Sequence, residues 1–316
     1  MMPDDDNLIE IIEEALFNAR LIHNKYYNNK EAYLAGKFGG DSKGDAVTVA
    51  DKETEEWLRQ FYQQRLPGYN FLGEETGSTA KYDGQGLFTI NDPLDGTWNF
   101  MQGIPNFGAI TAVCEQGQVA AAGYSNTCLE QAFVASRNKL RLKVDLGIQR
   151  YEPVKPQIYL GCGPADDPEQ VKELRALVQE KFPEIKLSQD GAAINAACVF
   201  AGLWPVFFHT GLAQHDISPV SLFSEITKVP ATDHRGRQYV AIDPAAEIKK
   251  YQSGQQELLY HNSILVAEPR SHEAMLKILE RFHPWLDAKQ QAGNDYAKIA
   301  GNDSFHFSAP SDIKSR

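Results

Sequence analysis

The spacing of apolar positions predicts helices at the start of the chain. In residues 6–22 apolar side chains recur at helical intervals, and Asp6 or Asn7 is placed to cap the helix. Residues 46–50 form a short β-branched run that predicts a strand. Asp51 follows this run and is placed to cap a second amphipathic helix.

The pattern then changes to short apolar runs of the kind that form strands. Residues 69–75 and 87–90 predict two strands, and the second brings Asp92 to its carboxyl end. Residues 106–136 contain three further runs, which predicts an antiparallel meander. Turn-forming pairs separate these runs at Gln116–Gly117 and Ser125–Asn126.

Beyond about residue 150, predicted strands alternate with predicted helices. The strands are 157–161 and 205–211, the helices are 168–181, 192–202 and 216–226, and 262–279 is a strand followed by a helix. Residues from about 283 are polar, and the last of them predict a loose tail. We therefore predict an α+β domain over residues 1–150 and an α/β domain over residues 151–316.

Composition narrows the class of protein. The chain has 316 residues, which is comfortable for two domains, and its net charge of −11 argues against a nucleic-acid partner bound through a basic face. The four cysteines lack metal-site spacing and are interpreted as reduced thiols. The longest apolar run, 196–208, is shorter than the roughly 20 residues of a membrane span, and acidic residues near Met1 argue against a signal peptide. These features favour a cytoplasmic enzyme without a membrane partner.

Candidate chemistry is concentrated in the segment INDPLDGTWNF, residues 90–100. Asp92 and Asp95 share one tight turn, because Pro93 fixes the backbone and Gly96 permits a sharp bend. Carboxylates this close repel one another unless a cation neutralises them. Hard oxygen ligands without histidine or cysteine select Mg²⁺, Mn²⁺ or Ca²⁺ rather than zinc.

The residues that follow this turn suit an anion. Gly96 and Thr97 are expected to begin a helix, whose free N–H groups can bind phosphate. Carboxylates for Mg²⁺ beside amides for phosphate form the arrangement that metal-assisted phosphoester hydrolysis needs. The alternative for the pentapeptide alone is a surface turn with capping aspartates.

Four motifs in order resemble the inositol monophosphatase family of Mg²⁺-dependent, lithium-sensitive phosphatases. DPLDGTWNF (92–100) matches the family signature D-P-[IL]-D-G-T-x-N-F. DAVTVAD (45–51), LGEE (72–75) and HDISPVSLFSEI (215–226) are similar to three further family elements. The resemblance extends over roughly residues 6–280. It implies a layered αβαβα sandwich, a small-molecule phosphate ester as substrate, two or three Mg²⁺ ions that Mn²⁺ can replace, and inhibition by Li⁺.

The resemblance also implies a metal-binding role for each matching residue. Glu74, Asp92 and the backbone carbonyl of Leu94 would hold one Mg²⁺. Asp92, Asp95 and Asp216 would hold a second, so that Asp92 bridges the two ions.

Catalytic and phosphate-binding roles follow from the same resemblance. Asp51 and Thr97 would position the attacking water, with Glu74 as a third catalytic residue. The amides of Gly96 and Thr97 would bind the phosphate, and Glu75 would support a third, weaker ion or a neighbouring ligand.

The chain departs from the family mainly where the substrate is selected. His215 replaces a tryptophan, and His209 falls where inositol-hydrolysing members place a glutamate, so that inositol phosphate itself is in doubt. Ala192 lies in the small-residue segment 188–197, which matches the lining of the family's substrate pocket. The implied substrate contacts are Asp95, Ala192, His209 and Asp216. Lys43 is interpreted as a solvated loop residue or a phosphate contact.

Several functions stay open at this level. The leading hypothesis is a phosphomonoesterase for a phosphorylated polyol, sugar or related metabolite. The alternatives are a 3′(2′)-phosphonucleotide, fructose-bisphosphate or histidinol phosphatase, and, in another class, a non-catalytic metal-binding regulatory homologue. Family members often form homodimers, and the sequence identifies no interface.

Overall fold

A computed structural model describes residues 3–29, 47–78, 87–116, 118–144, 156–162, 166–188, 193–239, 259–260 and 263–300. Lys43 and Ala192, the predicted loop at 36–45, the tail after 300 and the region around the predicted domain boundary near 150 lie outside these residues. The boundary therefore stays a prediction.

Two long helices, α1 (Asp5–Tyr26) and α2 (Val49–Arg65), form an outer layer. Their apolar faces pack on one face of a sheet, because both helices share a buried cluster with residues such as Val113 and Val134. The capping predictions were wrong in detail. Asp4 caps α1, with its Oδ1 accepting from Asn7 N at 2.9 Å. The described part of the run 46–50, residues 47–50, does not form the predicted strand, because Thr48 caps α2 and the helix begins at Val49.

The first sheet has seven strands. In spatial order they are β2 (Gly77–Ser78), β1 (Asn70–Gly73), β3 (Phe88–Asp95), β4 (Gly108–Glu115), β5 (Gln118–Asn126), β6 (Gln131–Ser136) and β7 (Lys139–Val144). β1 and β3 are parallel and the other pairs are antiparallel, so the meander is confirmed. Ser125–Asn126 belong to β5, and the turn into β6 lies at 127–130.

The second sheet has five strands, in the order β12 (Ala231–Thr232), β14 (Ile264–Ala267), β10 (Val206–His209), β8 (Gln157–Gly161) and β9 (Lys186–Ser188). Its outer face is covered by α4 (Pro168–Lys181), α8 (Pro269–Leu279) and α9 (His283–Ala300), with a 3₁₀ turn at Glu280–Phe282. The polar residues after 283 thus continue as a helix, and Trp285 and Leu286 pack on this face. β11 (Leu212–Ala213) and β13 (Leu259–Tyr260) form a separate pair.

Between the sheets lies a middle layer of short helices, namely α5 (Asn195–Phe200), α6 (Gln214–Ile217) and α7 (Val220–Thr227). Residues of α5 and α7 share one buried cluster with the inner faces of both sheets. The layers therefore run αβαβα, which confirms the predicted sandwich. The predicted helix 216–226 is broken into α6 and α7 because Pro219 has no N–H to continue it.

Two further predictions can be compared with the structure. All four cysteines are unpaired, in agreement with their interpretation as thiols. Within the described residues, no helix combines the length and the apolar content that a membrane span requires.

Candidate metal centre

The candidate centre lies where two parallel strands end side by side. Because β1 and β3 are parallel, their carboxyl ends meet at one edge of the sheet. Glu74 directly follows β1, and its N–H donates to Asn91 O at 3.1 Å. Asp92 and Asp95 occupy the end of β3, so the strand order alone brings three carboxylates to one place.

The turn between the two aspartates interrupts the sheet. The register of β3 against β4 shifts between Asp92 and Asp95, and Leu94 N donates to Asp92 Oδ1 at 2.9 Å. Gly96 follows with a φ of 82°, a left-handed conformation that glycine adopts without steric cost. Helix α3 (Thr97–Gln102) then begins at Thr97, as the sequence predicts.

His23 fixes the backbone of this turn from α1. Its Nε2 lies 2.8 Å from Pro93 O and its Nδ1 lies 2.8 Å from Thr127 Oγ1. Burial lowers the pKa of His23 to about 4, against a weaker opposing effect of the bond to Pro93. Since a carbonyl only accepts, the neutral ring donates from Nε2 and accepts the Thr127 hydroxyl at Nδ1. The sequence patterns do not single out His23, although a histidine on the buried face of α1 is the available signal.

Asp51 joins this centre from the first turn of α2. Its Oδ2 accepts from Thr48 N at 2.7 Å and from Thr48 Oγ1 at 2.5 Å, so Asp51 is the third residue of a capping box and not the cap itself. The remaining oxygen, Oδ1, accepts from Thr97 Oγ1 at 3.0 Å. The Thr97 hydroxyl also lies 2.8 Å from Leu94 O. Its single proton therefore serves either Asp51 or Leu94 at one time.

Two carboxylates connect the first sheet to the middle layer. Both oxygens of Asp95 accept backbone N–H groups ahead of α5, from Ala193 at 2.9 Å and from Ile194 at 2.6 Å. Asp216, in α6, accepts from Ala213 N at 2.9 Å. Asp92, Asp95 and Asp216 each offer an oxygen, and these atoms all lie within 4.8 Å of one another.

The electrostatics of the centre are those of crowded, buried acids. The pKa of Asp51 is raised to about 7 and that of Asp95 to about 8, chiefly by burial and also by nearby carboxylates, against the lowering effect of their hydrogen bonds. Burial, followed by Glu74 and Asp95, holds the pKa of Asp92 well above its usual range. Burial also raises the pKa of Asp216, against the lowering effect of His215 beside it, and Glu74 adds to the rise.

His215 lies inside the same group, although its side chain was assigned no role from the sequence. Its Nε2 is 3.6 Å from Glu74 Oε2 and 3.6 Å from Asp216 Oδ1, and only 12% of its side chain is exposed. With Glu74 and Asp92 it forms a second set whose potential ligand atoms lie within 4.8 Å of one another.

His209 occupies a different position, at the carboxyl end of β10. Its ring stacks on Tyr159 with centroids 6.2 Å apart, and its Nδ1 accepts from Gly211 N at 3.1 Å. A side chain on Gly161 would collide with this ring, which explains the glycine there. Burial, followed by Lys289, lowers the pKa of His209 to about 4, so the residue is neutral where the resemblance to inositol-hydrolysing members implies a glutamate.

Glu55 is a buried carboxylate that sequence patterns do not identify. It lies one turn after Asp51, accepts from Glu75 N at 2.7 Å and from Thr76 Oγ1 at 2.5 Å, and pairs with Arg59 at 3.2 Å. It therefore holds the loop that carries Glu74. A charged residue on the buried face of α2 was the only signal.

Comparison with known proteins places these observations in a family. The sequence model of the Inositol monophosphatase family matches residues 4–219, more than half of the chain. The inositol-1-monophosphatase of Mesorhizobium japonicum is 33% identical over 186 residues, covering 55% of this chain and 67% of that protein. The histidinol-phosphatase of Mycobacterium tuberculosis is 35% identical over 101 residues, covering 31% and 38%.

Solved structures have the same fold. The extragenic suppressor protein SuhB of Bartonella henselae superposes with a TM-score of 0.65 at 20% identity, covering 85% of this chain and 97% of that one. The inositol monophosphatase of Thermotoga maritima gives a TM-score of 0.64 at 18% identity, covering 86% and 96%. With the matching family model and the layered fold, the chain belongs to the inositol monophosphatase family.

Proposed function

We propose that this protein is a metal-dependent phosphomonoesterase that hydrolyses a small phosphorylated polyol, sugar or related metabolite. The observation that carries the proposal is the convergence of Asp92, Asp95 and Asp216 on one point, with the Asp51–Thr97 pair beside the same turn. Buried acids with raised pKa values are costly to keep without a cation, and family membership supplies the reaction class.

The oxygen-rich donor set fits divalent ions such as Mg²⁺. Glu74, Asp92 and the Leu94 carbonyl would hold one ion, and Asp92, Asp95 and Asp216 the other. The Leu94 carbonyl has a second lone pair beyond the one facing Thr97, so it can serve as a ligand without losing that contact. The ions would activate the attacking water and neutralise charge on the phosphate.

The protein's own groups orient the reacting atoms. Asp51 and Thr97 would hold the attacking water between them, and Asp51, with a pKa of about 7, is suited to accept a proton near neutral pH. The amides of Gly96 and Thr97 would bind the phosphate. Water attacks directly in this scheme, and no covalent intermediate is required.

The names of relatives support this reaction class. Several curated relatives are named inositol-1-monophosphatase, and one structural neighbour is an IMPase/NADP phosphatase complexed with Mg²⁺ and phosphate. A staphylococcal neighbour was solved as a LiCl-soaked inhibitory complex. We accordingly expect Mg²⁺ dependence and Li⁺ inhibition.

The substrate is selected beyond the reacting phosphate, where this chain differs from its family. A neutral His209 cannot accept a substrate hydroxyl as a permanent anion does. The histidinol-phosphatase relative and the NADP phosphatase neighbour make those esters candidates alongside inositol and sugar phosphates.

A non-catalytic regulator is the second candidate. The break between α6 and α7 alters the segment after Asp216, and one relative, from Pasteurella multocida, is named Nus factor SuhB at 31% identity over 110 residues. The intact carboxylate set favours the enzyme.

A phosphate-release assay tests the proposal. Inositol, sugar, nucleotide 3′- and histidinol phosphates are offered with Mg²⁺ to the wild type, to Asp95→Asn and to Asp167→Asn. Asp167 is the exposed cap of α4, where asparagine caps equally well, so this variant is the matched control. We expect release from at least one ester and a loss of about 100-fold or more in Asp95→Asn alone. A folded wild type that releases no phosphate and binds no Mg²⁺ at millimolar concentration would contradict the proposal.

A further inference from the structure

His215 has the position of a ligand and lacks the contacts of a structural histidine. Its Nε2 faces the carboxylates of Glu74 and Asp216 at 3.6 Å, which is too long for a hydrogen bond. Its Nδ1 is buried, and no hydrogen-bond partner for it lies among the described residues. The ring is therefore held beside two carboxylates without bonding to either.

These separations are typical of side chains that share an ion. A metal–ligand bond of about 2.1 Å places two ligand atoms about 3 Å apart at right angles and about 4 Å apart when opposite. The two 3.6 Å separations lie between these limits. As in the all-carboxylate set, the potential ligand atoms of these three residues, His215, Glu74 and Asp92, all lie within 4.8 Å of one another.

The two sets differ in donor chemistry. Asp92, Asp95 and Asp216 offer oxygen alone, which suits Mg²⁺. The set with His215 adds an imidazole nitrogen, a ligand typical of first-row transition ions such as Fe²⁺, Ni²⁺ and Zn²⁺ that Mg²⁺ does not favour. Asp92 belongs to both sets.

We propose that His215 is a nitrogen ligand, and that the ion beside Glu74 is a first-row transition ion while the all-oxygen position takes Mg²⁺. This rests on the proposed function, since it assumes that the carboxylate centre binds metal. It follows from this chain's own substitution, because a tryptophan, which the family has at this position, offers no lone pair to an ion.

The test uses Mn²⁺ as a spectroscopic probe in the presence of excess Mg²⁺. Pulsed electron paramagnetic resonance detects a nitrogen coupled to bound Mn²⁺, and calorimetry gives the Kd for Mn²⁺ and for Mg²⁺. The variants are His215→Gln and, as the matched control, His272→Gln. His272 is a partly buried histidine far along the chain, with its Nε2 2.9 Å from Thr232 Oγ1.

We expect a nitrogen signal in the wild type and in His272→Gln, and its loss in His215→Gln. The Kd for Mn²⁺ should rise about tenfold or more in His215→Gln, while the Kd for Mg²⁺ changes by less than about threefold. Bound Mn²⁺ without a nitrogen signal in the wild type would overturn the assignment.

Phosphate release separates this inference from the proposed function. Release of phosphate without a nitrogen signal removes only the ligand assignment. A nitrogen signal without phosphate release, on any ester with either ion, leaves the assignment in place and removes the enzymatic proposal. Absence of Mn²⁺ binding overturns the ligand assignment.

Discussion

The buried charge of Asp51 predicts a pH-dependent cost to the stability of the metal-free protein. Its pKa rises from 3.8 to about 7 on folding, chiefly through burial. The folded state therefore binds more protons than the unfolded state between these values, and stability falls as the pH rises through this window. Replacement by asparagine removes the charge. The new amide can keep its carbonyl toward Thr48, while its NH₂ group faces the Thr97 hydroxyl, which can accept.

The magnitude follows from the shift in pKa. With about 1.4 kcal/mol for each unit of pKa, the cost of burying Asp51 is about 2 kcal/mol at pH 5 and about 4 kcal/mol at pH 8. Asp51→Asn also changes hydrogen bonds, but their contribution to the free energy of unfolding is the same at both values of pH and cancels from the difference. The stability of the variant relative to the wild type should therefore rise by about 2–3 kcal/mol between pH 5 and pH 8.

The assay is urea unfolding with a chelator, at pH 5 and pH 8. Wild type and variant must be compared at the same pH, because other groups also make stability depend on pH. The lowered pKa values of His23 and His209 reduce the stability of both proteins as the pH drops from 6.5 toward 4. Asp167→Asn serves as the control and should show no such change. An equal free-energy difference between wild type and Asp51→Asn at both values of pH would refute the reasoning.

Two further predictions concern residues that position the centre. His23→Leu leaves the Pro93 carbonyl and the Thr127 hydroxyl without their buried partner, so the free energy of unfolding in urea titrations should fall by about 2–4 kcal/mol. His23→Gln should lose less, because the amide can still form hydrogen bonds, whereas equal stability of His23→Leu and the wild type would contradict this role. Glu55→Gln weakens the charge-assisted bond to Glu75 N, so the affinity for Mg²⁺ measured by calorimetry should drop about tenfold while the fold is retained. The control Glu56→Gln, which changes an exposed neighbour, should bind Mg²⁺ as the wild type does, and an unchanged Kd in Glu55→Gln would show that the loop needs no such support.

Local patterns predict much of the fold because most of its elements are local events. α4 has the predicted bounds, since Asp167, Pro168 and the apolar spacing all indicate one start. The first turn of α2 was predicted less well, because residues 46–50 have strand-forming side chains and only the capping box of Thr48 and Asp51 decides for the helix.

The residues of the candidate site also differ in whether local sequence or tertiary contacts determine their place. The motif around Asp92 and Asp95 can be read from the sequence because its spacing is local. His23 holds that motif, and Glu55 holds the loop that carries Glu74, through contacts across 70 and 20 residues that no local pattern encodes. His215 could be noticed as an exception to a family pattern, but its closeness to Glu74 depends on how α6 packs against the first sheet.

The two backbone bonds to Asp95 have a consequence for how this protein can change its specificity. Ala193 and Ile194 belong to the small-residue segment 188–197 implied in the substrate pocket, and their amides hold a carboxylate proposed to bind an ion. A substitution that shifts this segment to admit a new substrate would also displace that carboxylate. Selection for a different leaving group would therefore alter metal affinity, and substrate range and ion requirement would evolve together.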